Sequence, residues 1–207
     1  MKNEPDRLTM SAGRLEALGD GIFSVAMTIL AIELKIPSIE GNTLKDFLHG
    51  LYETRQELFC YFISFIVLGI MWFGHRMVFE YIHRTNRYFI FLGVLFYMLV
   101  CLVPFSTRFL AANTLKWFAI LTYGLNLSSC NLALYAQWYY GIKRPSLHER
   151  SLPAEVKKEA NRLFLISPIL YAIAITVSFY FPWISIAIYF FTPILYLLPN
   201  KLDKYLP

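Results

Sequence analysis

Long apolar runs alternate with short polar or basic breaks along this chain. Six runs stand out, and they predict helices over residues 14–36, 57–80, 88–110, 116–140, 161–181 and 183–199. A run of roughly twenty residues at helical rise matches the hydrocarbon core of a bilayer. After Pro37 a polar stretch with Ser38, Gly41 and Asn42 leads to a segment of mixed character at 44–57. Pro104 should kink or end the third run, and Ala111-Ala112-Asn113-Thr114 should turn the chain. Only Pro182 parts the last two runs, which suits a helical hairpin. No internal repeat or low-complexity segment is visible. The fold class expected is an all-α integral membrane protein, a single domain of six transmembrane helices over residues 1–207.

The first run organises the rest. Residues 21–32 carry no formal charge but cover only about 18 Å as a helix, so a full span takes in Asp20 and Glu33. Intramembrane carboxylates persist only where a partner or water meets them. At about 100° per residue, Gly21, Val25, Thr28, Ile29, Ile32 and Ile36 share one narrow face. Glu16, Asp20, Phe23, Met27 and Leu34 point roughly the other way. A β-branched stripe opposite a polar anchor suits a helix that lines a pore while fastened to its own subunit. It equally suits a helix-packing face.

Composition reinforces the membrane reading. The chain is 57% hydrophobic and 16% charged, against roughly 25% charged residues in soluble domains. Its net charge of +5 lies between apolar runs rather than on one face, so no nucleic-acid partner is expected. The basic residues are distributed unequally. One side would hold Lys2, Arg7, Arg14, Arg76, Arg84, Arg87, the cluster from Lys143 to Arg162, Lys201 and Lys204. The other would hold only Lys35, Lys45, Arg55, Arg108 and Lys116. The positive-inside rule then places both termini in the cytoplasm of a multi-pass protein of the cell membrane. Trp117 and Trp183 would mark the outer interface, and Trp138, Tyr139 and Tyr140 the inner one. Cys60, Cys101 and Cys130 read as small packing residues. The amino end lacks the features of a cleavable signal, with acids at Glu16 and Asp20.

Candidate chemistry is sparse. Arg14 precedes Asp20 by too many residues for a same-face helical pair, so partners for Asp20 are expected among Trp72, His75, Arg76 and Asn86. His75, Glu80 and His83 include one Glu-x-x-His pair, but no second such pair exists and Arg76 and Arg84 flank it. No resident metal or cofactor is therefore expected. The serines in the apolar runs lack a nucleophile motif or a nearby base, so the chain does not read as an enzyme. There is no phosphate loop and no Thr-Val-Gly-Tyr-Gly filter. The basic 141–162 linker suits orientation and lipid headgroup contact. A small secondary transporter or a non-transporting membrane scaffold is the alternative function. A transporter would need polar groups converging at mid-membrane, and the later runs offer mainly Asn126, Asn131 and Gln137.

Arg14, three residues, then Leu18-Gly19-Asp20 resembles the first-helix signature of the transmembrane protein 175 family, which usually reads Arg, three residues, Phe-Ser-Asp. Trp72-Phe73-Gly74-His75, Asn86 and Pro104-Phe105-Ser106-Thr107 resemble its second- and third-helix landmarks. The sequence departs from the pattern at Leu18 and Gly19. The resemblance implies a potassium-permeable cation channel of the prokaryotic single-repeat type, without the usual selectivity-filter loop. It implies a homotetramer with the first helix lining the central pore. Carried over, the hydrophobic constriction that gates and filters falls at Val25, with further layers at Ile29 and Ile32 and the hydroxyl of Thr28 on the same face. Arg14, Asp20, Trp72, His75 and Asn86 would form the interhelical network, and Glu33 would supply charge at the outer mouth. The only metal implied is permeant K⁺.

Overall fold

A computed structural model describes residues 10–35, 37, 39, 41–148 and 153–197. The stripe residue Ile36 and the basic residues Lys2, Arg7, Arg150, Lys201 and Lys204 lie outside the described residues. The chain forms α1 (Gly13–Ile32), α2 (Leu44–Glu53), α3 (Arg55–Tyr81), α4 (Arg87–Cys101), α5 (Val103–Ala112), α6 (Trp117–Ile142), α7 (Ala154–Ser178) and α8 (Pro182–Leu197). Two short strands, β1 (Met10–Ser11) and β2 (Arg84–Thr85), pair antiparallel with Met10 opposite Thr85 and Ser11 opposite Arg84.

Local chemistry sets the helix ends. Asn86 caps α4 through a 3.0 Å bond from the Phe89 amide to its side-chain oxygen, and Thr43 and Asp46 form a reciprocal capping box on α2. Hydrogen bonds from Thr43 hold the Asp46 carboxyl below the usual carboxylate range. Pro104 sits in the first turn of α5, where a missing amide proton costs nothing, and Leu102 alone separates α4 from α5. The two helices therefore act as one apolar crossing. α7 starts at Ala154, in the basic linker, because Glu155 to Asn161 continue the helix as polar turns before the apolar run.

Among the described residues, four segments are long and apolar enough to cross a membrane: 13–32, 55–81, 87–112 and 154–178. α8 is a shorter apolar helix. α6 has the length, but Asn126, Ser128, Ser129, Asn131 and Gln137 lower its hydropathy.

The packing explains that composition. α6 runs through the interior, packed against α3, α4, α5, α7 and α8. Its Ile120, Tyr123, Leu127, Cys130, Leu134 and Trp138 are fully or nearly fully buried. Asn126 bonds across helices: it donates to the Leu99 carbonyl at 3.0 Å and accepts from Ser106 at 2.8 Å. Trp138 is a correction to the expected aromatic belt. It is wholly buried, and its indole donates to Asn161 of α7 at 3.0 Å. Trp117 and Trp183 are exposed, and Trp117 stacks on Phe179. Cys60 and Cys130 are buried, whereas Cys101 is exposed on α4.

At the end of the bundle where α1 begins, three chain segments are stitched by backbone bonds. The Ala12 amide donates to the His83 carbonyl at 3.1 Å, and the His83 amide donates to Leu147 at 3.1 Å, in a short 3-10 turn at Pro145–Leu147. This stitching, together with β1–β2, ties the start of α1 to the α3–α4 connection.

Candidate functional site: the outward face of the first helix

α1 packs against α3, α4 and α5 with one side only. Leu15, Gly19, Phe23, Ala26 and Leu30 are buried, a spacing of three or four residues that draws one face. The opposite stripe is open. Val25 is 56% exposed, Ile29 38% and Ile32 79%, and Gly21 and Thr28 are exposed with them. A β-carbon added at Gly21 would meet nothing within 4 Å. Three β-branched apolar side chains thus stand on the outside of the subunit. The Thr28 hydroxyl donates back to the Val25 carbonyl at 2.8 Å, so its proton is used and its lone pairs remain to face outward.

The buried side is fastened by two separate tethers. In the first, the Trp72 indole of α3 donates to the Asp20 carboxylate at 2.8 Å. Asp20 lies at the border of the two faces and stays exposed. In the second, His75 Nε2 lies 2.7 Å from the Tyr97 hydroxyl of α4, which donates to the Leu15 carbonyl of α1 at 2.7 Å. His75 is fully buried in a box of Phe23, Phe79, Phe96 and Tyr97.

Several candidates sit elsewhere than expected. His75 bonds Tyr97 rather than Asp20, because its ring points into the aromatic box. Asn86 caps α4 and donates to the Tyr140 hydroxyl of α6 at 3.0 Å, so it serves the helix start and not the carboxylate. Arg14 and Arg76 are exposed and make no hydrogen bond or ion pair among the described residues. Glu33 does not share the open stripe. It caps the end of α1 half-buried beside Arg108 at 3.9 Å, next to a Lys35–Glu57 pair at 2.8 Å. Arg108 offsets the charge of Glu33, which blunts any field it casts on an outer mouth. Glu80 and His83 are exposed, and no group of His, Cys, Asp and Glu among the described residues could hold a metal ion.

Sequence reasoning missed Tyr97, whose signal is a phenol in the middle of an apolar run that requires a hydrogen-bond partner once buried. It also missed the strand pair at the start of α1, since two-residue strands leave no periodicity.

This is a helical membrane protein whose first helix is anchored on one face and, among the described residues, exposed on the other. The family model described as "Endosomal/lysosomal potassium channel TMEM175" matches residues 14–104. A potassium channel of Streptomyces collinus is 30% identical over 172 residues, which cover 81% of this chain and 82% of that protein. A potassium channel of a Chryseobacterium species is 27% identical over 194 residues, 93% of this chain and 95% of the other. The crystal structure of a lysosomal potassium-selective channel TMEM175 homolog from Chamaesiphon minutus aligns with a TM-score of 0.75 and 25% identity, over 90% of this chain and 96% of that one. The chain belongs to the TMEM175 family, one of channels rather than enzymes.

Proposed function

We propose that the chain is a potassium-permeable cation channel in which four copies set α1 around a common axis. Each subunit would cross the membrane six times, with α4 and α5 as one crossing and α6 and α8 completing the set. The observation that carries this reading is the division of α1. An apolar β-branched stripe stands outside the subunit while the opposite face is bonded to α3 and α4. The names of the Streptomyces and Chryseobacterium relatives support potassium as the permeant ion.

In this arrangement Val25 forms the narrowest ring, with Ile29 and Ile32 layered towards the outside. A β-branched apolar ring closes by dewetting, and an ion passing it sheds part of its hydration shell. Potassium holds that shell less tightly than sodium, so the ring favours it without a carbonyl filter. Thr28 lone pairs supply replacement oxygen one turn beyond Val25. Both termini belong on the cytoplasmic side of a cell membrane. Arg14, Arg76, Arg84, Arg87, Lys143, Arg144, Lys157, Lys158 and Arg162 gather at the end where α1 begins, and this supports that orientation.

Purified protein in planar bilayers tests the reading. Under a K⁺/Na⁺ bi-ionic gradient the reversal potential should report K⁺ preference. Currents with no such shift would remove the selectivity claim. Absence of current from folded protein would favour the transporter or scaffold alternatives.

A further inference from the structure

At Gly19 α1 approaches α3 and α4 closely enough that no side chain fits. A β-carbon there would lie 2.5 Å from His75 Cε1, 2.6 Å from His75 Nε2 and 2.8 Å from the Tyr97 hydroxyl. Gly19 stands where the family signature carries Ser, and a serine could not coexist with these two side chains as placed. The room left by the missing side chain is what lets the Tyr97 hydroxyl reach the Leu15 carbonyl, four residues back on the same helix.

The proton order is fixed by the partners. A carbonyl only accepts, so the single Tyr97 proton goes to Leu15. His75 Nε2 must then be the donor to the Tyr97 oxygen, at 2.7 Å, and the ring is the Nε2–H tautomer. His75 Nδ1 agrees with this assignment, being buried with no hydrogen-bond partner among the described residues. The chain of bonds runs one way, from His75 of α3 through Tyr97 of α4 to the backbone of α1.

We infer that Tyr97 is the positioning residue of the first helix, its hydroxyl gripping the Leu15 carbonyl through the gap at Gly19 and fixing the rotation that presents Val25 outward. This inference rests on the pore reading of α1. Unlike a side-chain contact, a bond to the helix backbone fixes both height and rotation. An α-helix is stiff enough to carry that setting over the ten residues to Val25, about 15 Å. The Trp72–Asp20 bond lies at an exposed carboxylate and holds a side chain, whereas Tyr97 is buried and holds the main chain. Loss of the Tyr97 hydroxyl therefore loosens the rotation of α1 without detaching it.

The experiment compares thiol-reagent rates at Val25→Cys, on the open stripe, and Ala26→Cys, on the buried face, with Tyr97 intact and with Tyr97→Phe. The parent background should show fast modification at 25 and slow modification at 26. Tyr97→Phe should narrow that ratio by about three- to tenfold, what one hydrogen bond is worth to an equilibrium. A purely structural Tyr97 would lower the melting temperature and leave the ratio unchanged, which overturns the inference while the pore reading stands. A parent protein without preference for 25 over 26 brings down the pore reading and this inference with it. Should Tyr97→Phe not fold, His75→Gln, which keeps an N–H donor, should preserve the parent ratio and His75→Leu should narrow it. Equal ratios in those two variants would overturn the inference.

Discussion

α1 and α6 meet their surroundings in opposite ways. α1 is apolar enough to be read as a membrane span at sight, yet only 28% of its span window is buried inside the subunit, the same share as for α7. α6 is too polar to qualify on hydropathy, yet it holds the centre of the bundle, with Tyr123, Leu127, Leu134 and Trp138 sealed from every side. Neighbouring helices supply partners for Asn126, through Leu99 and Ser106, and Asn131 bonds back to Leu127 of its own helix. The Gln137 amide and the Ser128 hydroxyl, by contrast, are buried without a partner among the described residues. Among the described residues, nothing covers the apolar stripe of α1. Hydropathy thus reports what a helix can stand next to, and burial reports what it does stand next to. A helix exposed on a β-branched stripe and tethered through its other face leaves that stripe to lipid or to a neighbouring subunit, and the pore reading is the second case.

The largest expected effect lies in α6. Trp138→Ala would open a cavity among Tyr81, Phe164 and Asn161 and strand the Asn161 oxygen. A loss of about 3 kcal/mol or more is expected, read as a large fall in detergent melting temperature. A variant that melts like the parent would show that α6 is not the core. On α1 the reverse holds. Val25→Asn should leave melting nearly unchanged, because the side chain is exposed in the subunit, and should raise leak current, because a polar ring no longer dewets. If Val25→Asn instead damages folding and no current rises, the stripe is a dry packing face and the contrast with α6 collapses.

The smallest effect belongs to the tether at the border between the two faces of α1. Asp20→Asn weakens a 2.8 Å bond from Trp72 by removing its charge. The carboxylate is exposed, so about 1 kcal/mol or less is expected, seen in stability or assembly rather than in ion preference. Altered selectivity with parent-like melting would place Asp20 in the ion path.

What the sequence made legible was the sidedness of α1 and the carriers of polarity on it. Apolar and β-branched residues at helical spacing are a one-dimensional signal. Partner choice is not. Nothing in the order of residues says that His75 turns into an aromatic box towards Tyr97, or that Asn86 spends its side chain on a helix start and Tyr140. The polar beginning of α7 escaped because helix formers such as Glu155 and Lys157 continue a helix without any apolar run to mark it. The setting of Glu33 escaped because the cation beside it, Arg108, comes from a different helix. Trp138 was misread because a run of aromatics near a membrane boundary looks the same in sequence whether it faces lipid or core.

In the proposed channel the Val25 face meets its symmetry mates around water. Cysteine substitution along 21–32, followed by reagent access and inter-subunit cross-linking in the membrane, puts this to the test. Positions 25, 28, 29 and 32 should react and cross-link with helical periodicity, while 23, 26 and 30, buried in the subunit, should stay silent. Cross-linking that peaks at 23 and 26, or reactivity without periodicity, would rule that arrangement out.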